Sequence, residues 1–269
     1  MSEAKRVPVG VDPTKPNAAR LYNYLLGGKD NYEVDQAAAQ RMLLVAPDTR
    51  TQAWFSRKFL LGAVKFAAEE GILQFIDVGA GIPISPNVHE VAQEIQPAAR
   101  VVSIDYDPVV HVHSNALLSG TKGVTTMLAD VRRIDELIAR LRDEEQIDFA
   151  QPVAILIVGV LHFVMDDEHP EQIFDRFLEV MAPGSVLAFT HASTTTQDEF
   201  IAQSKTDLVR SSAQAVFRTP DVVASFIEGY EQVEPGLVKV QEWLGDDLPD
   251  TNLVLLAAIL RPGRRDRQP

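Results

Sequence analysis

Residues 74–83 read Gln-Phe-Ile-Asp-Val-Gly-Ala-Gly-Ile-Pro, and the rest of the chain arranges itself around them. Phe75, Ile76 and Val78 form a short apolar run that ends in two glycines one residue apart, with a helix-like segment after them. That pattern predicts a buried strand feeding a tight turn. Gly79 and Gly81 carry no Cβ, so the turn can take positive φ and a ligand can approach bare backbone. In doubly wound α/β folds the first strand-to-helix turn is where a nucleotide-type ligand sits. Two glycines alone also describe an ordinary turn, so the flanking sequence has to choose.

Downstream, strand-like and helix-like segments alternate. Asn87 to Ile95 reads as a helix, Arg100 to Ile104 as a second strand, and Pro108 opens another helix that Asp107 can cap. Val124 to Leu128, Pro152 to Val158 and Ser185 to Thr190 read as strands three to five, with helices over Val131 to Arg142 and Pro170 to Met181 between them. Alternation at this spacing predicts a parallel sheet with helices on both faces. After helical stretches from Thr196 to about Val216 and from Asp221 to Phe226, the alternation stops. Two strand-like runs, Leu237 to Trp243 and Asn252 to Leu260, are separated by the turn-rich 245–250; with no crossover helix they must pair antiparallel. The expected fold class is α/β: a Rossmann-like, doubly wound, mostly parallel sheet finished by a C-terminal antiparallel hairpin.

Upstream, residues 1–16 hold Pro8, Pro13 and Pro16 among polar residues and read as an extended arm. Residues 17–71 read as an N-terminal helical cap. It opens with Asn-Ala-Ala-Arg-Leu-Tyr-Asn-Tyr-Leu-Leu-Gly-Gly-Lys-Asp-Asn-Tyr, Asn17 to Tyr32. A short helix from about Ala18 to Leu26 puts Leu21 and Leu25 on one face with Tyr22 beside them, and Gly27-Gly28 ends it. Arg20, Tyr22, Gly27, Gly28, Lys29 and Tyr32 suit a lid that folds over a bound ligand; they suit equally a structural cap packing its aromatics on the core. Glu33 to Ala46 is a second helix stopped by Pro47, and Asp48 caps a third that runs to about Glu70. Trp54, Phe55, Phe59, Leu60, Val64 and Phe66 of that helix are expected in the core. Residues 72–262 are then the ligand-binding domain and 263–269 a basic tail.

Composition bounds the function. The 269 residues are 46% hydrophobic and 23% charged, ordinary for a chain that buries a large core. The net charge of −13, from 25 basic and 38 acidic residues, argues against broad nucleic-acid binding, which needs a basic surface. Cysteine is absent, which removes disulfides, thiolate metal sites and cysteine nucleophiles. The N-terminal residues hold no apolar signal-like run and no run reaches membrane-spanning length, so the expectation is a cytoplasmic protein without a membrane partner. His111 and His113 stand two apart on a helix, on different faces, so no metal pair is expected.

Three carboxylates fall at the carboxyl ends of strands, where open α/β sheets bind ligands. Asp77 precedes the glycines, Asp105 ends the second strand 24 residues after Gly81, and Asp130 follows the third. A carboxylate after strand two can accept both hydroxyls of a ribose. One after strand three can accept from an exocyclic adenine amine, with Val131 supplying a backbone N–H. Each alone also reads as a cap for the next helix. A dinucleotide fingerprint wants a third glycine where Ile84 stands, and Pro83 intervenes. No pyrophosphate need be cradled if the ligand is S-adenosylmethionine, whose ammonium Asp77 could meet directly or through water.

Taken together, the Asn17–Tyr32 block, Asp-Val-Gly-Ala-Gly-Ile-Pro (77–83), Asn-Val-His-Glu-Val-Ala (87–92), Asp-Tyr-Asp-Pro-Val-Val (105–110), Ala-Asp-Val-Arg (129–132) and Val-Leu-His-Phe-Val (160–164) resemble the actinobacterial S-adenosyl methyltransferase family, long catalogued as a domain of unknown function. Pro-Gly-Ser-Val-Leu (183–187), Arg-Thr-Pro-Asp (218–221) and Glu-Pro-Gly-Leu-Val with Trp243 extend the likeness over nearly the whole chain. Leu-Leu-Gly-Gly-Lys-Asp-Asn-Tyr (25–32) is its most family-specific piece. The resemblance implies a class I methyltransferase fold and S-adenosylmethionine as cofactor, and carries no substrate with it. Pro83 departs from the generic Gly-x-Gly-x-Gly pattern. The cofactor set on this reading is Asp77, Gly79, Ala80, Gly81, Asp105, Tyr106, Asp130, Val131 and Gly159. His162 is the catalytic candidate and His191 a further acceptor-side candidate, both following late strands; each also reads as a histidine bonded to backbone beneath the site. Gly159-Val160-Leu161-His162 replaces the Asp/Asn-Pro-Pro-aromatic motif of enzymes that methylate nucleic-acid bases, so the expected partner is a small-molecule acceptor. Two other classes stay open: a non-catalytic cofactor-binding sensor or interaction module, and an NAD-dependent oxidoreductase.

Overall fold

The computed structural model describes residues 14–207, 214–245 and 247–263. Most of the proposed arm, the 208–213 part of the long helix expected after strand five, and residues 264–269 of the basic tail lie outside the described residues. Three helices come first: α1 (Ala18–Leu25), α2 (Glu33–Val45) and α3 (Thr49–Glu69). Then β1 (Gln74–Val78), α4 (Val88–Ile95), β2 (Arg100–Asp105), α5 (Pro108–Leu118), β3 (Val124–Leu128), α6 (Ile134–Asp143), β4 (Val153–Ile157), α7 (Pro170–Val180) and β5 (Val186–Ala192) alternate. The chain ends with α8 (Asp198–Asp207), α9 (Pro220–Phe226), β6 (Tyr230–Gln232), β7 (Val238–Lys239), α10 (Val240–Leu244) and β8 (Leu255–Pro262).

The sheet order is β3-β2-β1-β4-β5-β8-β6, with β7 also pairing with β8. Strands β1 to β5 are parallel, and β8 runs antiparallel between β5 and the short β6 and β7. The order reverses at β1, which lies between β2 and β4, so the turn after β1 opens into the crevice at that reversal.

Period-two alternation divides the sheet into two faces. Ile76, Val78, Ile104, Ile155, Ile157 and Phe189 pack against α6, α7 and α9 on one side. Phe75, Val101, Ala154, Leu156 and Ala188 pack against α3, α4 and α10 on the other. Asp77 shares the parity of Phe75 and therefore faces α3. Phe75, Phe174, Phe177 and Phe189 are fully buried, each contributing about 1.5–3 kcal/mol of transfer free energy. A third cluster of Leu21, Leu25, Ala39, Met42 and Phe200 joins α1 and α2 to α8.

Four expectations are corrected. Trp54 is 46% exposed and not core, because it lies a residue to the side of the buried Phe55–Phe59 stripe of α3. Leu237 to Trp243 is no long strand: only Val238 and Lys239 pair with β8, and the chain then coils into α10. Trp243 Nε1 donates to Gly236 O and Ala257 O at 3.1 and 3.0 Å, holding that helix against β8. The helix after strand three begins at Ile134, since Asp130 first forms a turn with Arg132 and Arg133. Residues 214–217 are not helical; Val216 N donates to His162 O at 2.8 Å instead.

Candidate functional site

The turn after β1 has the backbone its glycines allow. Gly79 and Gly81 both have φ +68. A Cβ at Gly79 would lie inside 3.0 Å of Val160 Cγ2, so this glycine lets the loop after β4 close down on the turn. A Cβ at Gly81 would meet nothing within 4 Å, so this glycine leaves bare backbone facing open space. Gly81 N donates to Asp105 Oδ2 and Asp107 N to Asp105 Oδ1, each at 3.0 Å. These backbone bonds, with the Tyr106 N–H also drawing on the carboxylate, fix its orientation, and two oxygens with about four lone-pair sites keep capacity for a ligand. Burial lifts the Asp105 carboxyl to about 6, against the pull of those N–H groups.

Asp77 is buried facing α3, and burial lifts its carboxyl to about 7, with Arg57 drawing it down and Asp105 pushing it up. Arg57, itself buried, comes from the middle of α3. Its Nη2 donates to Ile84 O at 2.6 Å and Pro86 O at 2.7 Å, fastening the helix to the loop that follows the glycines. Sequence reading missed Arg57. The available signal was a charged residue set among Phe55, Phe59 and Leu60.

Asp130 is clasped by Arg132 through Nε and Nη2 at 2.6–3.0 Å, and Arg132 Nη1 reaches Glu168 at 2.6 Å. Burial raises the Asp130 carboxyl, but the Arg132 hydrogen bonds outweigh it and hold it below its ordinary value. The Arg132 guanidinium also lies over the Tyr106 ring, 5.5 Å from its centroid. Asp130 is thus already paired, a point the sequence did not reveal.

One cavity of about 380 Å³ brings these pieces together. Asp77, Gly79, Ala80, Gly81, Asp105, Tyr106, Asp130, Val131, Gly159 and His162 all line it, and Arg57 joins them. Its wall also includes the apolar Leu25, Met42, Phe163, Phe200, Phe217 and Leu253, with Thr49, Ser56, Ser204 and Gln214 among them. Asn17, Leu21, Tyr22 and Leu25 of the cap form part of the wall. Tyr22 donates to Ala53 O at 3.1 Å, and burial pushes its phenol up to about 12. Among the described residues no group of three or more His, Asp or Glu side chains is placed to hold a metal ion.

Arg20, Gly27, Gly28, Lys29, Tyr32 and His191 do not line this cavity. Arg20 sits behind the wall, its Nε donating at 2.7 Å to Asp35, which is 0% exposed. Asp35 also accepts from Asn17 N and Tyr32 N at 2.9 Å each, and the Arg20 guanidinium covers the Tyr32 ring at 4.9 Å. Gly28 packs against the Asn23 amide, and Asn23 Oδ1 accepts from Asp30 N and Asn31 Nδ2 at 3.0 and 2.9 Å. The Asn17–Tyr32 block therefore builds the cap, and only Asn17, Leu21, Tyr22 and Leu25, with neighbouring alanines, reach the cavity.

His162 is on the short turn after β4, with Nδ1 buried and unpartnered. Burial first, then His191 and Arg218, hold its imidazolium down to about 3. His191 is wholly enclosed: Nδ1 pairs with Ala192 O at 2.9 Å and Nε2 with Arg218 Nη1 at 2.7 Å. An arginine only donates, so His191 Nε2 accepts and its proton is on Nδ1. Arg218 also donates to Val164 O at 2.8 Å and Asp166 Oδ1 at 2.7 Å, binding the 161–166 segment that carries His162.

The family described as S-adenosyl methyltransferase matches residues 4–259. A candidate methyltransferase from Thermobifida fusca YX is 34% identical, with a TM-score of 0.86 and coverage of 97% of this chain and 100% of that one. A DUF574 family protein from Streptomyces avermitilis is 32% identical, TM-score 0.85, covering 93% and 98%. The N-methyltransferase NodS from Bradyrhizobium japonicum, in complex with S-adenosyl-L-homocysteine, shares the fold at 14% identity, TM-score 0.51, over 92% and 100%. No curated protein matches the chain. These likenesses lend no support to an oxidoreductase or to a non-catalytic binding module. A match along nearly the full length, with two relatives above 30% identity, places the chain in the S-adenosyl methyltransferase family, whose cofactor is S-adenosylmethionine.

Proposed function

We propose that this methyltransferase acts on a small molecule held in the apolar part of the cavity, beneath the cap of residues 17–71. The observation that carries the reading is one cavity lined both by the strand-end carboxylates and by apolar side chains of the cap and the later loops. The carboxylate-lined part suits the cofactor. Gly81 offers bare backbone, Asp105 has lone pairs left for ribose hydroxyls, and Asp77 beside Arg57 matches the ammonium and carboxylate of an amino-acid tail. Tyr106, Asp130 and Val131 line the place for the base.

When bound, S-adenosylmethionine supplies an electrophilic methyl carbon on a sulfonium. The chain's task is then to align a nucleophile and exclude water. Leu21 and Leu25 of α1 wall the cavity from the cap side, and Phe163 and Phe217 contribute apolar surface to it. His162, held neutral, can accept a hydrogen bond from an acceptor hydroxyl or amine and hold its lone pair in line. At a value near 3 it retains a transferred proton poorly, so its part is orientation rather than storage of the proton. The capped cavity and the net charge of −13 favour a small acceptor over nucleic acid. Among the described residues no helix is long and apolar enough to cross a membrane.

Calorimetric titration with S-adenosylmethionine, S-adenosylhomocysteine and NAD tests the cofactor part. Both S-adenosyl ligands bind the native protein, and Asp105→Ala weakens them by about 10- to 100-fold, the worth of hydrogen bonds to a charged group. Binding of NAD alone overturns the reading. His162→Gln separates the acceptor end: it lowers turnover and leaves cofactor affinity unchanged.

A further inference from the structure

We infer that Arg132 occupies the base subsite of the free protein, and that the adenine of the cofactor enters by displacing its guanidinium from Asp130 and Tyr106 onto Glu168. The inference rests on the placement of the base proposed above. Tyr106, Asp130, Arg132 and Glu168 all line the cavity. Asp130 follows β3, and Glu168 lies between β4 and α7, on the segment that carries His162. Arg132 joins the two carboxylates through a partly exposed side chain.

Asp130 Oδ1 accepts from Arg132 N at 3.0 Å and from Nε at 2.8 Å, and Oδ2 accepts from Nε at 3.0 Å and from Nη2 at 2.6 Å. These contacts take up the roughly four lone-pair sites of a carboxylate, so none is left for an exocyclic amine. The same guanidinium stands 5.5 Å from the centroid of the half-exposed Tyr106 ring. A base lying between the two planes needs about 7–8 Å, two van der Waals contacts of about 3.5–4.0 Å each. Arg132 therefore holds both features that would recognise adenine: the acceptor for its amine and the aromatic face for its ring. Its exit is prepared as well. Arg132 Nη1 already donates to Glu168 Oε1 at 2.6 Å, and Met165 N fixes the other oxygen, Oε2, at 2.8 Å. A guanidinium that turns wholly onto Glu168 keeps a charge-assisted carboxylate partner while it releases Asp130.

Calorimetry with S-adenosylhomocysteine tests this on the whole chain. Arg132→Met leaves the Asp130 carboxylate and the Tyr106 face open, so the Kd falls about fivefold, the upper worth of a partly exposed ion pair. Arg133→Met makes the same change of charge at a neighbour that is 74% exposed and does not line the cavity, and it leaves the Kd as it was. A crystal structure of the native complex shows Arg132 off Asp130 and still paired with Glu168. A Kd that rises or stays within twofold in Arg132→Met overturns the inference, as does an equal gain in Arg133→Met. So does a complex in which Arg132 still clasps Asp130 or has left Glu168. Failure of S-adenosylhomocysteine to bind the native protein, or an adenine lying away from Tyr106, refutes the placement of the base and the inference with it.

Discussion

Lowering the pH should loosen the cofactor far more steeply than surface titration would. Burial holds Asp77 at about 7 and Asp105 at about 6 in the free protein. Both must be ionised to meet an ammonium and two ribose hydroxyls. At pH 7 about half of Asp77 and nine-tenths of Asp105 carry charge; at pH 5 the fractions are about one in a hundred and one in ten. The doubly ionised population thus falls by two to three decades, about 3–4 kcal/mol at 1.36 kcal/mol per decade. Calorimetry with S-adenosylhomocysteine between pH 5 and 7, in buffers of differing ionisation enthalpy, reads both the Kd and the protons released. We expect Kd to rise steeply below pH 6, with net proton release on binding. The free protein shows the opposite sense in stability. Both carboxyls sit above their unfolded value of 3.8, so the fold binds extra protons, and stability is lost as pH rises from about 4 to 7. Bound cofactor favours the charged forms and reverses that loss. A Kd constant within threefold over this range, with no proton release, would refute the assignment of both aspartates.

The two turn glycines should separate binding from stability. Gly81→Ala, whose Cβ enters open cavity, loses about tenfold or more in cofactor affinity and only about 1 kcal/mol of stability from the left-handed backbone. Gly79→Ala meets Val160 and drops the Tm further, by the 1–3 kcal/mol of an overpacked site, as scanning fluorimetry would record. Arg218→Met strips donors from Val164 O and His191 Nε2 at about 1–3 kcal/mol for each stranded group. It also lets the His162 titration move upward in NMR, though still below 6.5 because burial remains the leading cause. Arg20→Met leaves the Asp35 carboxylate buried with two backbone N–H partners, a loss of about 3–5 kcal/mol read by denaturant unfolding.

The central sheet was legible because parallel strands covered on both faces are continuous apolar runs bounded by turns. Val153–Ile157 is five apolar residues in a row, and Gln74–Val78 matches its expected bounds. Asp77, Asp105 and Asp130 were readable as cavity-lining positions for a topological reason: each lies at the carboxyl end of a strand. The C-terminal region was harder. Val238-Lys239-Val240-Gln241 alternates as a strand does, yet Glu242 accepts from Lys239 N at 3.3 Å and starts a helix there. Tyr230–Gln232 is too short to announce itself. Arg57 was illegible because α3 carries apolar residues around much of its circumference. Which face meets the cavity depends on how the helix lies on the sheet, and local sequence does not state that.

The cap shows how most of a sequence block can characterise an enzyme from behind the wall of its cavity. Asn23, Gly28, Asp30 and Asn31 close a compact knot, and Arg20 and Asp35 bind α1 to α2 behind the cavity wall. From that knot one side chain reaches forward: Asn17 Nδ2 donates to Asp107 Oδ2. Asp107 in turn caps α5 through Val109 N and gives its own N–H to Asp105. The cap is therefore wired to the carboxylate assigned to the ribose. Any change that loosens Arg20–Asp35 reaches Asp105 through Asn17 and Asp107, three hydrogen-bonded steps away. A lid built of ligand contacts would lose affinity only when a contacting residue changed. This cap should lose it when Arg20 or Asp35 changes, because what it contributes is the position of Asn17, Leu21 and Tyr22.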